Sequence, residues 1–141
     1  MEPIRTIPQL ASLLRTSSEK LPVQCNFCKR LLKNSEKVIF NAYGFRLRWS
    51  DGVAYACCKS CMRISSQIEF GGYFERNLRA DEVAASTGIS VCLQQIRCKN
   101  CLKPLTAREK NRLQKSREFI YQVRGRLRGT CTLCRLSYHA L

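Results

Sequence analysis

The sequence predicts an α+β fold with two small cysteine-rich domains, a helical linker between them and an N-terminal helical arm. Three observations support this: four Cys-x-x-Cys pairs recur, the gap between pairs is 29 residues in each half, and helix and strand patterns alternate between the pairs. A stretch of 36 residues separates the two halves. The pairs are Cys25 with Cys28, Cys58 with Cys61, Cys98 with Cys101, and Cys131 with Cys134.

Two such pairs supply four thiolates, which complete the tetrahedral shell of one zinc ion and leave no position for substrate water. Because the repeated unit is a pair of pairs, we expect two structural Zn²⁺ ions. The first is assigned to Cys25, Cys28, Cys58 and Cys61, and the second to Cys98, Cys101, Cys131 and Cys134. An interleaved assignment would break the internal repeat. Closed zinc shells, without a well-placed Cys-His or Ser-His pair, indicate a binding scaffold and not an enzyme.

Ten cysteines in 141 residues also raise the alternative of a secreted disulfide framework. That alternative needs an export signal, and the N-terminal sequence has no apolar segment of the required kind. A redox enzyme needs one reactive pair, not four at matched intervals. No stretch is long enough to span a membrane, so no membrane partner is expected.

Residues 1–22 form the predicted arm. Thr6 and Gln9 have the spacing of a capping box, and Pro8 is tolerated in the first helical turn. Leu10, Leu13 and Leu14 are expected to form one apolar face that packs on the body of the protein. Packing on a second copy is the alternative, which would give weak self-association.

Residues 23–61 and 96–134 are the predicted zinc domains. Aligned at an offset of 73, the halves also match at Leu32 and Leu105, Glu36 and Glu109, Lys37 and Lys110, and Gly52 and Gly125. A capping box over Thr106 and Glu109 predicts a helix after the third cysteine pair. The mixed aromatic and aliphatic stretches Val38–Trp49 and Phe119–Leu127 predict half-buried strands.

Residues 62–95 form the predicted helical linker, and residues 135–141 the C-terminal tail. Apolar positions from Met62 to Phe70 indicate a helix that Gly71 and Gly72 interrupt. A second helix is expected over Ala80–Thr87, with Gly88 at its end.

The formal charge of +15 falls by four, to +11, when eight thiolates and two zinc ions are counted. A protein this basic favours acidic partners, either nucleic acid or acidic peptide segments. A basic surface that serves only solubility is the simpler alternative.

The chain resembles papillomavirus early protein six, a viral transforming protein, and is most similar to cutaneous-type members. The resemblance rests on the spacing of the four pairs, on Cys25-Asn26-Phe27-Cys28, on Tyr55-Ala56-Cys57-Cys58 and on Val123-Arg124-Gly125-Arg126. It implies a non-enzymatic adaptor or oncoprotein of the host nucleus and cytoplasm. Such proteins hold an acidic Leu-x-x-Leu-Leu (LxxLL) helix of a host protein in a groove between the zinc domains and the linking helix.

For cutaneous types, the resemblance favours Mastermind-like coactivators of Notch signalling as partners. The alternative is a host ubiquitin ligase, redirected against the tumour-suppressor transcription factor. A third hypothesis is a zinc-stabilised protein that binds nucleic acid weakly and without sequence specificity. The final four residues lack the Ser or Thr of a PDZ-binding tail, so that activity is not expected.

The resemblance also implies which residues bind the peptide. The apolar floor is expected from Phe27, Phe45, Leu47, Cys57, Met62 and Ile68. The basic rim is expected from Arg46, Arg48, Arg97 and Arg126. Arginine suits the rim because its planar fork can grip a carboxylate through two hydrogen bonds.

Overall fold

A computed structural model describes residues 4–116 and 118–139, and of residues 137–139 it describes only the backbone. Two compact units divide between Met62 and Arg63. The helices are α1 (Ile7–Leu13), α2 (Asn34–Ala42), α3 (Lys59–Tyr73), α4 (Ala80–Thr87), α5 (Ala107–Lys115) and α6 (Thr132–His139). The strands are β1 (Gln24–Cys25), β2 (Arg48–Ser50), β3 (Val53–Ala56), β4 (Phe74–Leu78), β5 (Arg97–Cys98), β6 (Ile120–Val123) and β7 (Arg126–Gly129). This confirms the α+β prediction.

The first unit has a three-stranded sheet in which β3 lies between β1, parallel to it, and β2, antiparallel to it. Helix α1 packs into the core of this unit and begins with the predicted capping box. Its buried residues are Ile7 and Ala11, whereas Leu13 and Leu14 are exposed. Of the predicted face, Leu10 packs against the core, but Leu13 and Leu14 do not, because the helix turns the i, i+4 pair of Ile7 and Ala11 toward the core.

The stretch predicted as a strand from Val38 begins instead within helix α2, and β2 starts only at Arg48. Helix α2 is favoured at its start, where a carboxylate oxygen of Glu36 accepts a hydrogen bond from the Lys33 N–H at 3.0 Å. Glu36 and Phe40 are buried one helical turn apart. Helical periodicity thus outweighs the near-alternate pattern that suggested a strand.

The second unit has a four-stranded sheet in the order β4-β6-β7-β5. Strand β4 lies inside the predicted helical linker, residues 62–95, between its two predicted helices, and the presence of a strand there corrects the purely helical description of the linker. It pairs antiparallel with β6 and sets buried Leu78 opposite buried Ile120. A partner strand more than forty residues away stabilises β4, so a local sequence pattern could not reveal it.

The internal repeat is confirmed at the level of backbone. Adding 73 to the residue numbers of α2 and β3 gives the bounds of α5 and β7. The parallel pair of β1 and β3 likewise corresponds to the parallel pair of β5 and β7. Both hairpins turn through two residues with positive φ. These are Asp51 (50°) with Gly52 (77°), and Arg124 (53°) with Gly125 (75°), the geometry typical of type I′ turns.

The helices of the predicted linker differ from expectation at one point. Helix α4 ends at Gly88 in the left-handed conformation, φ 75°, as predicted. Helix α3, however, continues through Gly71 and Gly72 to Tyr73. Glycine only weakens a helix, by about 1 kcal/mol relative to alanine, and this cost does not end α3 here.

Replacing Gly71 by alanine should stabilise the zinc-loaded protein by about 0.5–1 kcal/mol, because a helical Cβ lowers the entropy of the unfolded chain. A Cβ at Gly71 meets nothing within 4 Å. Denaturant unfolding in excess zinc measures the change. Gly52→Ala is the matched control: its position is equally open but has φ +77°, so a loss of about 1 kcal/mol is expected there. Equal effects of the two substitutions would contradict this account.

Within the described part of the chain, the helices are too short or too polar to cross a membrane.

Candidate metal centres and peptide-binding residues

The eight paired cysteines form two clusters, each in one unit. In the first, Cys25 ends β1, Cys58 follows β3 and Cys61 lies in the first turn of α3, with Cys28 completing the set. Cys98, Cys101, Cys131 and Cys134 form the second cluster in the same way. Within each cluster the Sγ atoms all lie within 4.8 Å of one another. The structure thus groups the cysteines as pairs of pairs and not in the interleaved arrangement.

The geometry of both clusters fits zinc. The Sγ atoms of Cys28 and Cys58 are 3.8 Å apart, and so are those of Cys101 and Cys131. A tetrahedral zinc ion with Zn–S bonds of about 2.3 Å holds its sulfur ligands roughly 3.8 Å from one another. All ten cysteines are free thiols, so no disulfide competes for these ligands. The protein therefore holds two structural zinc ions, each in a closed shell of four cysteines.

Backbone N–H groups turned toward the sulfur atoms favour the thiolate form that zinc requires. The Asn100 and Cys131 N–H groups lie 3.4 and 3.5 Å from the Cys98 Sγ. The Cys61 N–H lies 3.4 Å from the Cys58 Sγ. A hydrogen bond from the Cys101 thiol, together with the N–H groups of Cys131 and Asn100, lowers the pKa of Cys98 to about 4, against the opposing effect of burial.

The two surplus cysteines stay outside both clusters. Burial raises the pKa of Cys57 to about 12, which keeps it a neutral thiol. The Cys92 Sγ lies 2.8 Å from the Gln114 Oε1, to which it can donate.

The predicted floor residues fall into three groups. Phe27 and Ile68 are strongly exposed, at 62% and 67%. Leu47 and Met62 belong to the buried core of the first unit, at 7% and 2% exposure. These two can support a binding surface, but they offer almost no area of their own to a ligand. Phe45 and Cys57, the third group, are partly exposed at the edge of the same core.

Three arginines, Arg97, Arg126 and Arg128, form a cluster on neighbouring strands of the second unit, here called the arginine cluster. Arg97 on β5 is in register with Arg128 on β7, and Arg126 precedes Arg128 by two residues on the same strand face. The Arg128 guanidinium pairs with Glu69 at 3.2 Å. Burial, and then the like charges of Arg128 and Arg126, lower the pKa of Arg97. Sequence reasoning missed Arg128, although the alternation from Arg126 pointed to it.

Arg46 and Arg48, the other predicted rim residues, are exposed in the first unit.

Glu36 and Glu109 lie beside the cysteine clusters. The internal repeat aligns these two residues with each other, but sequence reasoning did not identify them as site residues. Side-chain hydrogen bonds from the Arg30 guanidinium lower the pKa of Glu36 to about 2. Burial favours the neutral form of Glu109, but N–H donors from Thr106 and Thr132 outweigh it and lower the pKa. Both carboxyl groups are therefore ionised at neutral pH.

Comparison with known proteins adds the family context. Residues 25–134 match the family model described as Early Protein (E6). The chain is 34% identical to Protein E6 of human papillomavirus type 1 over 95% of this chain and 96% of that protein. It is 35% identical to Protein E6 of canine oral papillomavirus over 96% and 93%. The C-terminal zinc-binding domain of the HPV51 oncoprotein E6, a solved structure, is 28% identical, with a TM-score of 0.41 over 45% of this chain and 83% of that one.

Proposed function

The chain belongs to the papillomavirus early protein E6 family, and we propose that it acts as a non-enzymatic viral adaptor that binds acidic LxxLL helices of host proteins. Its two closed zinc shells serve this role as scaffolds. They hold small units that have too little core to fold without metal.

The arginine cluster is the observation that carries this proposal. Three guanidinium groups lie on adjacent strands, and burial, followed by the like charges of Arg128 and Arg126, lowers the pKa of Arg97. A carboxylate from a partner would offset these like charges and could take two parallel hydrogen bonds from one guanidinium. The exposed Arg126 is the member best placed to make such a bond from solvent.

Apolar side chains would supply most of the affinity for the leucines of the peptide. On α3, Ile64 and Ile68 are four residues apart and both exposed, so they form an apolar stripe on one helix face. The same helix carries Glu69, the partner of Arg128. In the first unit, Phe27 and the partly exposed Phe45 are the candidates, as the family resemblance predicts.

We further propose that the preferred partners are Mastermind-like coactivators of Notch signalling, with action in the host nucleus and cytoplasm. Support comes from similarity to cutaneous relatives such as that of human papillomavirus type 1. Recruitment of a host ubiquitin ligase through its own LxxLL motif is the alternative. Titrating the protein with acidic LxxLL peptides of both partner classes separates the two proposals.

Replacing Arg97 and Arg126 together by alanine should weaken binding of an acidic LxxLL peptide by at least about 10- to 100-fold, because the loss of even one charge-assisted hydrogen bond costs about 1.5–3 kcal/mol. Fluorescence anisotropy with a labelled peptide measures the dissociation constant, and metal analysis should still find two zinc ions per chain.

The matched control is Arg112→Ala with Lys115→Ala, which removes the same charge from exposed positions of α5. This control should bind the peptide within about twofold of wild type. Equal losses in both double variants would show that only net charge matters, as expected of a nucleic-acid binder. A DNA duplex serves as the second ligand. Binding that falls steeply with salt for DNA, and is stronger than for the peptide, would overturn the adaptor proposal.

A further inference from the structure

A buried carboxylate links the two cysteine pairs of the first unit. Glu36, on α2, accepts a hydrogen bond from the Lys33 N–H at 3.0 Å and another from the Lys59 N–H at 2.9 Å. The Arg30 guanidinium grips the same carboxylate with both nitrogens, at 3.0 and 2.8 Å. Arg30 lies two residues after Cys28, and Lys59 directly follows Cys58.

The second unit repeats this arrangement at the same offset of 73 residues. Glu109, on α5, accepts from the Thr106 N–H at 2.9 Å and from the Thr132 N–H at 2.6 Å. Lys103 takes the place of Arg30, with its Nζ 3.6 Å from the carboxylate. Thr132 directly follows Cys131, as Lys59 follows Cys58. At both clusters, therefore, a glutamate accepts from two backbone N–H groups and lies beside a basic side chain, although the residues that donate differ.

Besides its basic partner, each carboxylate makes two contacts with backbone N–H groups, and these two differ in kind. One closes the capping box at the start of its own helix, which Gln could also do. The other reaches 23 residues along the chain to the first N–H of the helix that begins directly after the first cysteine of the second pair. Capping of the glutamate's own helix does not require this second contact. Glu82 provides the comparison, since it closes the capping box of α4 by accepting from the Arg79 N–H at 3.0 Å, within its own helix.

We propose that Glu36 and Glu109 are positioning residues for zinc, each fixing the two cysteine pairs of its unit at the separation that the metal requires. Neither residue is a zinc ligand. Each holds the peptide unit next to the third cysteine of its cluster, Cys58 or Cys131, and so limits the positions that this sulfur can take. The inference does not depend on peptide binding.

Glu36→Gln tests the proposal in the full chain. The amide keeps the size of the side chain, but it has one acceptor oxygen for two N–H donors and sets an NH₂ group against the other. Removing a partner that orients metal ligands typically costs 10- to 100-fold in metal affinity. We therefore expect the affinity for one of the two zinc equivalents to fall ~10–100-fold, measured by competition with a chromophoric chelator. Glu109→Gln should weaken the other equivalent.

Cadmium-113 NMR of the cadmium-substituted protein supplies a readout for each site. Glu36→Gln should move one cadmium resonance and Glu109→Gln the other. Glu82→Gln is the matched control, because it alters a capping-box glutamate at the same helical position without touching a cysteine pair. It should retain both zinc ions with wild-type affinity. If Glu36→Gln binds zinc as tightly as Glu82→Gln, or if it weakens both sites equally, the proposal is wrong.

Lys59→Pro removes the N–H that Glu36 reaches, together with the exposed Lys59 side chain, at the first position of α3, where proline is well tolerated. It should reproduce the loss of zinc affinity in Glu36→Gln, and combining the two substitutions should add little. Wild-type zinc affinity in Lys59→Pro would overturn the link to the second pair. This variant also decides the matter if Glu36→Gln fails to fold.

Discussion

Removal of zinc by excess chelator should unfold both units, with loss of helical circular dichroism and of cooperative thermal unfolding. The cysteine ligands are part of each core, with Cys25, Cys58, Cys98 and Cys131 almost fully buried. Without metal, nothing holds the two cysteine pairs of a unit together, and the few remaining apolar residues cannot offset the entropy of ordering the chain. In finger-like peptides structural zinc contributes on the order of 10–16 kcal/mol, which is comparable to the whole stability of a typical domain.

Circular dichroism combined with metal analysis checks this expectation. Returning zinc under reducing conditions should restore the signal and two zinc ions per chain. Cys58→Ala should lose one zinc ion, whereas Cys92→Ser should keep both, because Cys92 lies outside the clusters. A metal-free chain with unchanged circular dichroism would contradict the assignment of the two zinc ions as structural.

Lys37→Met should lower the free energy of unfolding of the zinc-loaded protein by about 3–5 kcal/mol. The Lys37 Nζ is buried and donates to three backbone carbonyls, those of Ser18 at 2.6 Å, Glu19 at 3.0 Å and Leu21 at 2.9 Å. Methionine fills similar space but leaves these carbonyls without their donor. Unsatisfied buried polar groups cost about 1–3 kcal/mol each.

The internal repeat supplies the control for this substitution. Lys110, the counterpart of Lys37, donates to one backbone carbonyl, that of Gln94 at 3.0 Å, and is only partly buried. Lys110→Met should therefore cost about 1–2 kcal/mol. Denaturant unfolding at constant excess zinc compares the two variants. If Lys110→Met lowered the free energy of unfolding as much as Lys37→Met, the number of backbone carbonyls that each lysine binds would not explain the loss of stability.

Local sequence signals predicted the parts of the fold that depend on neighbouring residues. The capping boxes at Thr6 and Thr106 and the left-handed Gly88 all lie where the sequence places them. Each of these features depends on residues within about one helical turn. The cysteine spacing likewise predicted both zinc clusters, because each short Cys-x-x-Cys loop supplies two ligands and a tetrahedral zinc ion requires four.

The errors have a common cause in contacts that are distant along the chain. Strand β4 forms because β6 is beside it, and α1 turns Ile7 to the core instead of Leu13. Burial also differs among the predicted floor residues, because Leu47 and Met62 lie in the core of the first unit, a distinction that hydrophobicity does not make. Phe27, which is equally apolar, is exposed.

The sequence by itself determined the metal, the number of sites, the duplicated architecture and the family, because all four depend on the identity and spacing of cysteines along one chain. Only the tertiary structure decided which charged side chains meet. Glu36 reaches a backbone N–H 23 residues away, and Arg97 lies beside Arg128 across a strand pair. Such partners follow from how the backbone folds back on itself, and a pattern of neighbouring residues does not encode that path.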